Sequence, residues 1–171
     1  MIDPKKHAED RGIIESILRY VPGFRGYLEK DYRQESDHLV RKWMADRLQG
    51  SKRSLDEVML ELVNAGRIDQ LTDWERVKTR LDGLMLRMRG AVRGYSGFFD
   101  FVQVNTELLD KVYEHDMALV QQVDALAGEL EQLAVKPDTT NSAAKQLLHQ
   151  IDDIDRSFAE RGEMLSGLSD S

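Results

Sequence analysis

Asn105 to Leu133, NTELLDKVYEHDMALVQQVDALAGELEQL, is the stretch whose reading decides the fold. Leu109, Val112, Asp116, Leu119, Val123, Leu126, Leu130 and Leu133 recur in it by alternating steps of three and four, an apolar seam with a period of about 3.5 residues. Strands alternate every second residue, and no such pattern persists here. Asn105 stands at a cap position, so a helix is predicted from there to about Leu133. A seam of this period favours side-by-side packing against another long helix.

That other helix lies just downstream. Lys136-Pro137-Asp138-Thr139-Thr140-Asn141 is the clearest linker in the chain, and Leu147, Ile151, Ile154, Phe158 and Leu165 carry a helix beyond it. Leu147, Ile151, Ile154 and Phe158 repeat the same spacing, which makes the two helices natural partners in a coiled-coil-like antiparallel hairpin. The Ser/Gly/Asp tail, residues 166–171, is expected to fray.

Upstream, four more helices are predicted. Residues 7–21 form a short amphipathic one on Ile13, Ile14, Ile17, Leu18 and Val21, ended by Pro22-Gly23. The next runs from about Gly26 to Leu48 with Leu28, Tyr32, Leu39, Val40, Trp43 and Met44 as its stripe. Its Glu29/Arg33 and Asp37/Arg41 pairs are expected on the solvent side. The capping box Ser54-Leu55-Asp56-Glu57 opens a short helix that Gly66 stops, and Thr72-Asp73-Trp74-Glu75 opens one that reaches about Gly94. The expectation is an all-α, antiparallel bundle of about six helices in one domain, residues 1–171.

Bulk properties narrow the function classes. The chain has 171 residues, 32% of them charged, a formal charge of −7 and no Cys. Absence of Cys removes disulfides, thiol nucleophiles and Cys-bound zinc, and suits a reducing compartment. Net negative charge repels phosphate backbones, so nucleic acid is not the expected partner. The N-terminal residues lead into charge and not into the apolar run of a signal peptide, and no stretch approaches the roughly 20 apolar residues of a spanning helix. A cytoplasmic setting is expected.

No catalytic, cofactor or metal constellation emerges. A di-iron bundle needs two Glu-x-x-His motifs, and only Glu35-Ser36-Asp37-His38 is present, with His38 off the apolar face. Asp152, Asp153 and Asp155 read as a solvated acidic face without the glycine of a calcium loop. In the helix after Thr72, Trp74, Val77, Leu81, Leu84, Met85, Met88 and Val92 form the stripe. Arg76, Arg80 and Arg87 flank it on one side, and Lys78, Arg89 and Arg93 on the other. Flanking bases are expected to pair with acids on neighbouring helices.

Three features remain as candidate sites. Asp116 interrupts the long seam and, if buried, needs a cation; Arg80 and Arg87 are the expected partners in a structural ion pair. Thr79, Gly83, Leu86, Gly90 and Gly94 form a face opposite the stripe, where small residues permit another helix or a second subunit to approach. Tyr95, Phe98, Phe99 and Phe101 gather aromatic surface at one junction, read as a buried turn or as an interaction hot spot.

Pro22-Gly23-Phe24-Arg25-Gly26-Tyr27, Gly94-Tyr95-Ser96-Gly97-Phe98-Phe99-Asp100 and Leu109-Asp110-Lys111-Val112-Tyr113-Glu114-His115-Asp116 together resemble a family of uncharacterised prokaryotic helical proteins. The resemblance implies a helical fold in a prokaryotic cytoplasm and brings no activity or site residues. The functional expectation is therefore a non-catalytic protein–protein interaction or scaffold bundle, whose partner is another protein or a second copy. The alternatives are a membrane-surface protein using residues 7–21, whose mixed-sign polar face argues against it, and a ligand-binding or enzymatic bundle.

Overall fold

The structure, a computed structural model, describes residues 4–90, 106–135 and 141–169. These form five helices and no strand: α1 (Pro4–Tyr20), α2 (Lys30–Asn64), α3 (Ile68–Gly90), α4 (Thr106–Val135) and α5 (Asn141–Ser169). The all-α expectation holds, with one helix fewer than the sequence suggests. The difference is α2. The sequence ends one helix at about Leu48 and opens another at the capping box of Ser54, yet the helix passes straight through that stretch.

The reason is the seam. Met44, Leu48, Ser51, Leu55, Val58 and Leu62 continue in steps of four and three, and all are buried. Burying each of Leu55, Val58 and Leu62 contributes about 1.5–3 kcal/mol. A helical Gly costs about 0.5–1 kcal/mol, so burial wins. Ser51 turns its hydroxyl back on the Leu48 carbonyl at 2.7 Å, inside the helix, instead of capping a new one. The stop at Gly66 is as expected: with φ +72° it takes the left-handed position, Gly66 N–H donates to Val63 O and Arg67 N–H to Leu62 O, a Schellman closure. Helix α3 then begins at Ile68, before the Thr72 box. Helix α5 extends to Ser169, into the stretch expected to fray.

Charged pairs reveal how the helices run. Arg89–Asp46, Lys52–Asp82 and Lys78–Asp56 descend one helix as they climb the other, so α2 and α3 are antiparallel. Arg80–Asp152 and Arg87–Asp155 climb together, so α3 and α5 are parallel. Asp116–Arg161 and Glu129–Gln150 make α4 and α5 antiparallel. Helix contacts close a ring in the order α2, α3, α5, α4, which places α2 diagonal to α5, and α1 packs against α4 from outside. In α1, Ile17 is buried, as is Val21 just past its end, and Ile13 and Ile14 lie half-buried on the core. Most of the N-terminal amphipathic face thus packs on the bundle, while Leu18, also read as part of it, is 43% exposed.

Long seams fill the ring's interior. On α4, Leu109, Val112, Asp116, Leu119, Val123, Leu126 and Leu130 are buried. On α5, Leu147, Ile151, Ile154 and Phe158 are joined by Arg161 and Leu165 in unbroken register. Trp74, Val77, Leu81, Leu84 and Met88 supply α3.

Candidate functional site

Between α1 and α2 the chain makes a loop that plugs one end of the bundle. Gly23 and Gly26 take φ +88° and +81°, conformations open to Gly and strained for other residues. They turn Phe24 and Tyr27 inward until both are buried. A Cβ at Gly26 would lie 2.6 Å from the Tyr113 hydroxyl, so that close approach also requires Gly. The rings of Tyr27 and Tyr113 stack, with centroids 5.6 Å apart and planes at 12°, and Phe24 meets both edge-on.

Side chains from α2 and α4 hold the loop backbone. Tyr27 N–H donates to the Tyr113 hydroxyl at 2.8 Å, and Arg25 N–H to Ser36 Oγ at 3.1 Å. Arg33 donates from Nε to Tyr27 O at 2.6 Å and from Nη2 to Leu28 O at 3.0 Å. The sequence places Arg33 on a wet face beside Glu29; instead it is buried over the loop carbonyls, and burial lowers its pKa from the ordinary value. Helix α2 starts three residues past Tyr27, with Glu29 extended at φ −88° and ψ 127° as its N-cap.

Beneath the plug lies a buried charge network. The Tyr27 hydroxyl donates to Asp116 Oδ2, and Arg161 donates from Nε to Asp116 Oδ1 at 2.6 Å. Arg161 Nη2 donates to the Tyr27 hydroxyl at 3.1 Å and faces Asp37 Oδ1 at 2.6 Å as an ion pair off the hydrogen-bond axis. Asp37 Oδ2 accepts from Arg41 Nε at 3.0 Å, and Arg41 Nη1 reaches Met88 O at 3.2 Å on the last turn of α3. One continuous network therefore ties the loop to all four bundle helices, and Asp37–Arg161 spans the α2/α5 diagonal.

Its charges balance, two carboxylates against two guanidiniums. Burial raises the Asp37 pKa, but Arg161 and Arg41 outweigh it and leave the carboxyl below its ordinary value. Burial opposes the Arg161 charge, yet Asp116 and Asp37 hold it protonated more firmly than a free arginine. Burial and the neighbouring Asp116 charge push Tyr27 well above the usual phenol, so it stays a donor. Arg161 Nη1 has no hydrogen-bond partner among the described residues.

Against the sequence reading, Asp116 is buried and ion-paired as expected, but its partner is not Arg80 or Arg87. Those two lie at the flank of α3 and pair with Asp152 and Asp155 on α5, where both partners remain substantially exposed. An arginine beside the stripe cannot reach a seam position on the diagonal helix; one inside the facing seam can. Lys78 and Arg89 pair across the other flank with Asp56 and Asp46, so the basic edges of α3 do bridge to neighbouring acids. Asp37 and Arg41 pair with each other as expected, though in the core.

On the outer face of α3, Thr79 and Gly90 are exposed, Gly83 is half-exposed and Leu86 is 73% exposed. Gly94 and the aromatic residues Tyr95, Phe98, Phe99 and Phe101 lie outside the described residues, as does most of the expected linker 136–141. His38 is exposed, and no group of three or more metal-ligating side chains occurs among the described residues. No helix among them is long and apolar enough to cross a membrane. Comparison with protein-family models, curated proteins and solved structures finds no match to this chain.

Proposed function

We propose that this protein is a non-catalytic interaction scaffold that associates with a second copy of itself through the outer face of α3. One observation carries the reading: Gly90 and the exposed Leu86 lie on a part of this face that no other described element covers, while Thr79 and Gly83 border the α3/α5 groove. A Cβ built at Gly90 meets nothing within 4 Å, and one at Gly83 meets only the Arg87 side chain at 3.3 Å. Helical glycines cost stability unless something uses the space they leave. Among the described residues only the Arg87 side chain enters the space at Gly83 and nothing enters that at Gly90, which favours a helix from outside near Gly90, with Leu86 as its apolar contact.

Support for a non-catalytic role comes from how the charged groups are used. Of the buried ones, Asp37, Arg41, Asp116 and Arg161 hold one another and Arg33 holds the loop carbonyls, and Arg80 and Arg87 along the α3/α5 groove are neutralised by Asp152 and Asp155. Light scattering across a concentration series tests the reading. A mass rising above the 19.6 kDa of one chain, and returning to it in Leu86→Glu with helicity retained, is the expected result. A wild-type mass that stays monomeric throughout overturns it.

A further inference from the structure

We propose that the Tyr27–Asp116–Arg161 contacts are a latch that makes the N-terminal arm and the C-terminal half of α5 open together. The two segments are 134 positions apart in the chain, yet share one buried set of hydrogen bonds. Neither can leave alone without cost. Withdrawing α5 removes the guanidinium from both Asp37 and Asp116 and leaves two buried carboxylates with reduced compensation. Withdrawing the loop takes the Tyr27 donor from Asp116 and an acceptor from Arg161. It also uncovers the fully buried guanidinium.

The rest of the loop's anchoring adds to the effect. Tyr27 is held by its N–H and hydroxyl to α4 and by its carbonyl to α2, so a rotamer change that sheds the Arg161 contact also breaks the bond to Asp116. On α5, Phe158 and Leu165 bracket Arg161 at seam positions, so displacing the guanidinium moves that whole stretch. The far end of the ring, where α2 turns into α3, has no part in the network. The arrangement makes a cooperative opening unit from the two ends of the chain, distinct from the α2/α3 turn. This inference is independent of the association proposed for α3.

Hydrogen exchange on the full chain tests it. In Tyr27→Phe, amides of residues 20–29 and of residues 155–165 are expected to exchange faster by a similar factor, roughly tenfold to a hundredfold. Amides of residues 55–75 are expected to change little. Arg161→Lys, which shortens the reach from the other side, is expected to produce the same pattern. Acceleration confined to residues 20–29, or spread evenly over every helix, overturns the latch. Should both variants lose their helicity, the wild type decides the matter at low denaturant. The two segments are expected to share one denaturant dependence, and two different dependences overturn the proposal.

Discussion

Replacing Asp116 by Asn keeps the shape of the side chain and removes one of the two negative charges at the centre of the bundle. The carboxylate is fully buried and accepts from both the Tyr27 hydroxyl and Arg161 Nε. An amide has a single acceptor oxygen, so one of those donors comes to face an NH2 group. The network also passes from neutral to a net positive charge with no solvent to absorb it. Removing one partner of a buried ion pair typically costs about 3–5 kcal/mol. Asp37 still faces Arg161 at 2.6 Å, which retains part of the compensation and brings the expected loss to about 2–4 kcal/mol. For a chain of this size that corresponds to a fall in Tm of roughly 5–15 °C. Urea denaturation followed by circular dichroism measures it, at low and at high salt, because a buried pair is screened little. The companion variant Arg161→Met and the double variant complete a cycle, with an expected coupling of about 1–3 kcal/mol. An Asp116→Asn midpoint within about 0.5 kcal/mol of wild type, a difference ordinary for a surface change, refutes the reasoning.

Other outcomes follow from the same geometry. Gly26→Ala is expected to destabilise by about 2 kcal/mol or more, since its Cβ meets the Tyr113 hydroxyl at φ +81°, whereas Gly50→Ala, with open space at that position, is expected to stabilise by about 0.5–1 kcal/mol; calorimetry on both checks the contrast. Arg80→Ala removes an ion pair that is about half exposed on both sides, and its effect on the urea midpoint is expected to stay below about 1 kcal/mol and to vanish in high salt. The Asp37 pKa is depressed, so its contribution is present above the unfolded value of 3.8 and is lost as pH falls through the folded value. The Tyr27 pKa is raised, so its contribution is intact below 10.0 and is lost as pH rises through the folded value. Neither group should then tilt stability between those limits; urea midpoints in acid, near neutrality and in alkali test this, and Tyr27→Phe should flatten the alkaline limb.

How far the fold was legible depends on how far the apolar period could be followed. Helix α4 was read almost to the residue because its seam carries a single polar interruption. Helix α2 reads as two helices because the capping box at Ser54 outweighs a seam that continues beneath it. Capping signals are worth about 1 kcal/mol, and a row of buried Leu and Val side chains overrides them. Pro22-Gly23 reads correctly as a helix stop, but Gly26 and Tyr27 read as the start of the next helix because nothing local announces that Tyr27 is drawn inward by Asp116, a residue 89 positions away.

The same period contained the signal for the charge network. Continued upstream from Met44, the α2 seam falls on Arg41 and Asp37. Continued downstream from Phe158, the α5 seam falls on Arg161; the α4 seam already contains Asp116. Taken one at a time, each of these charges looks like the end of an apolar face. Taken together, they are two acids and two bases at core positions of three helices, which is what electroneutrality of a buried cluster requires. A charge inside a strict seam is therefore better tested against the seams of the other helices than against bases that flank a stripe. Flanking bases point Asp116 to Arg80 and Arg87, whereas the seams point it to Arg161. Seam placement also ties the charges to helix register: Asp37 and Arg161 meet across the α2/α5 diagonal, and a slip of one helix along the other would separate them. That specificity makes the Asp116→Asn cycle a test of the arrangement of the helices as well as of its stability.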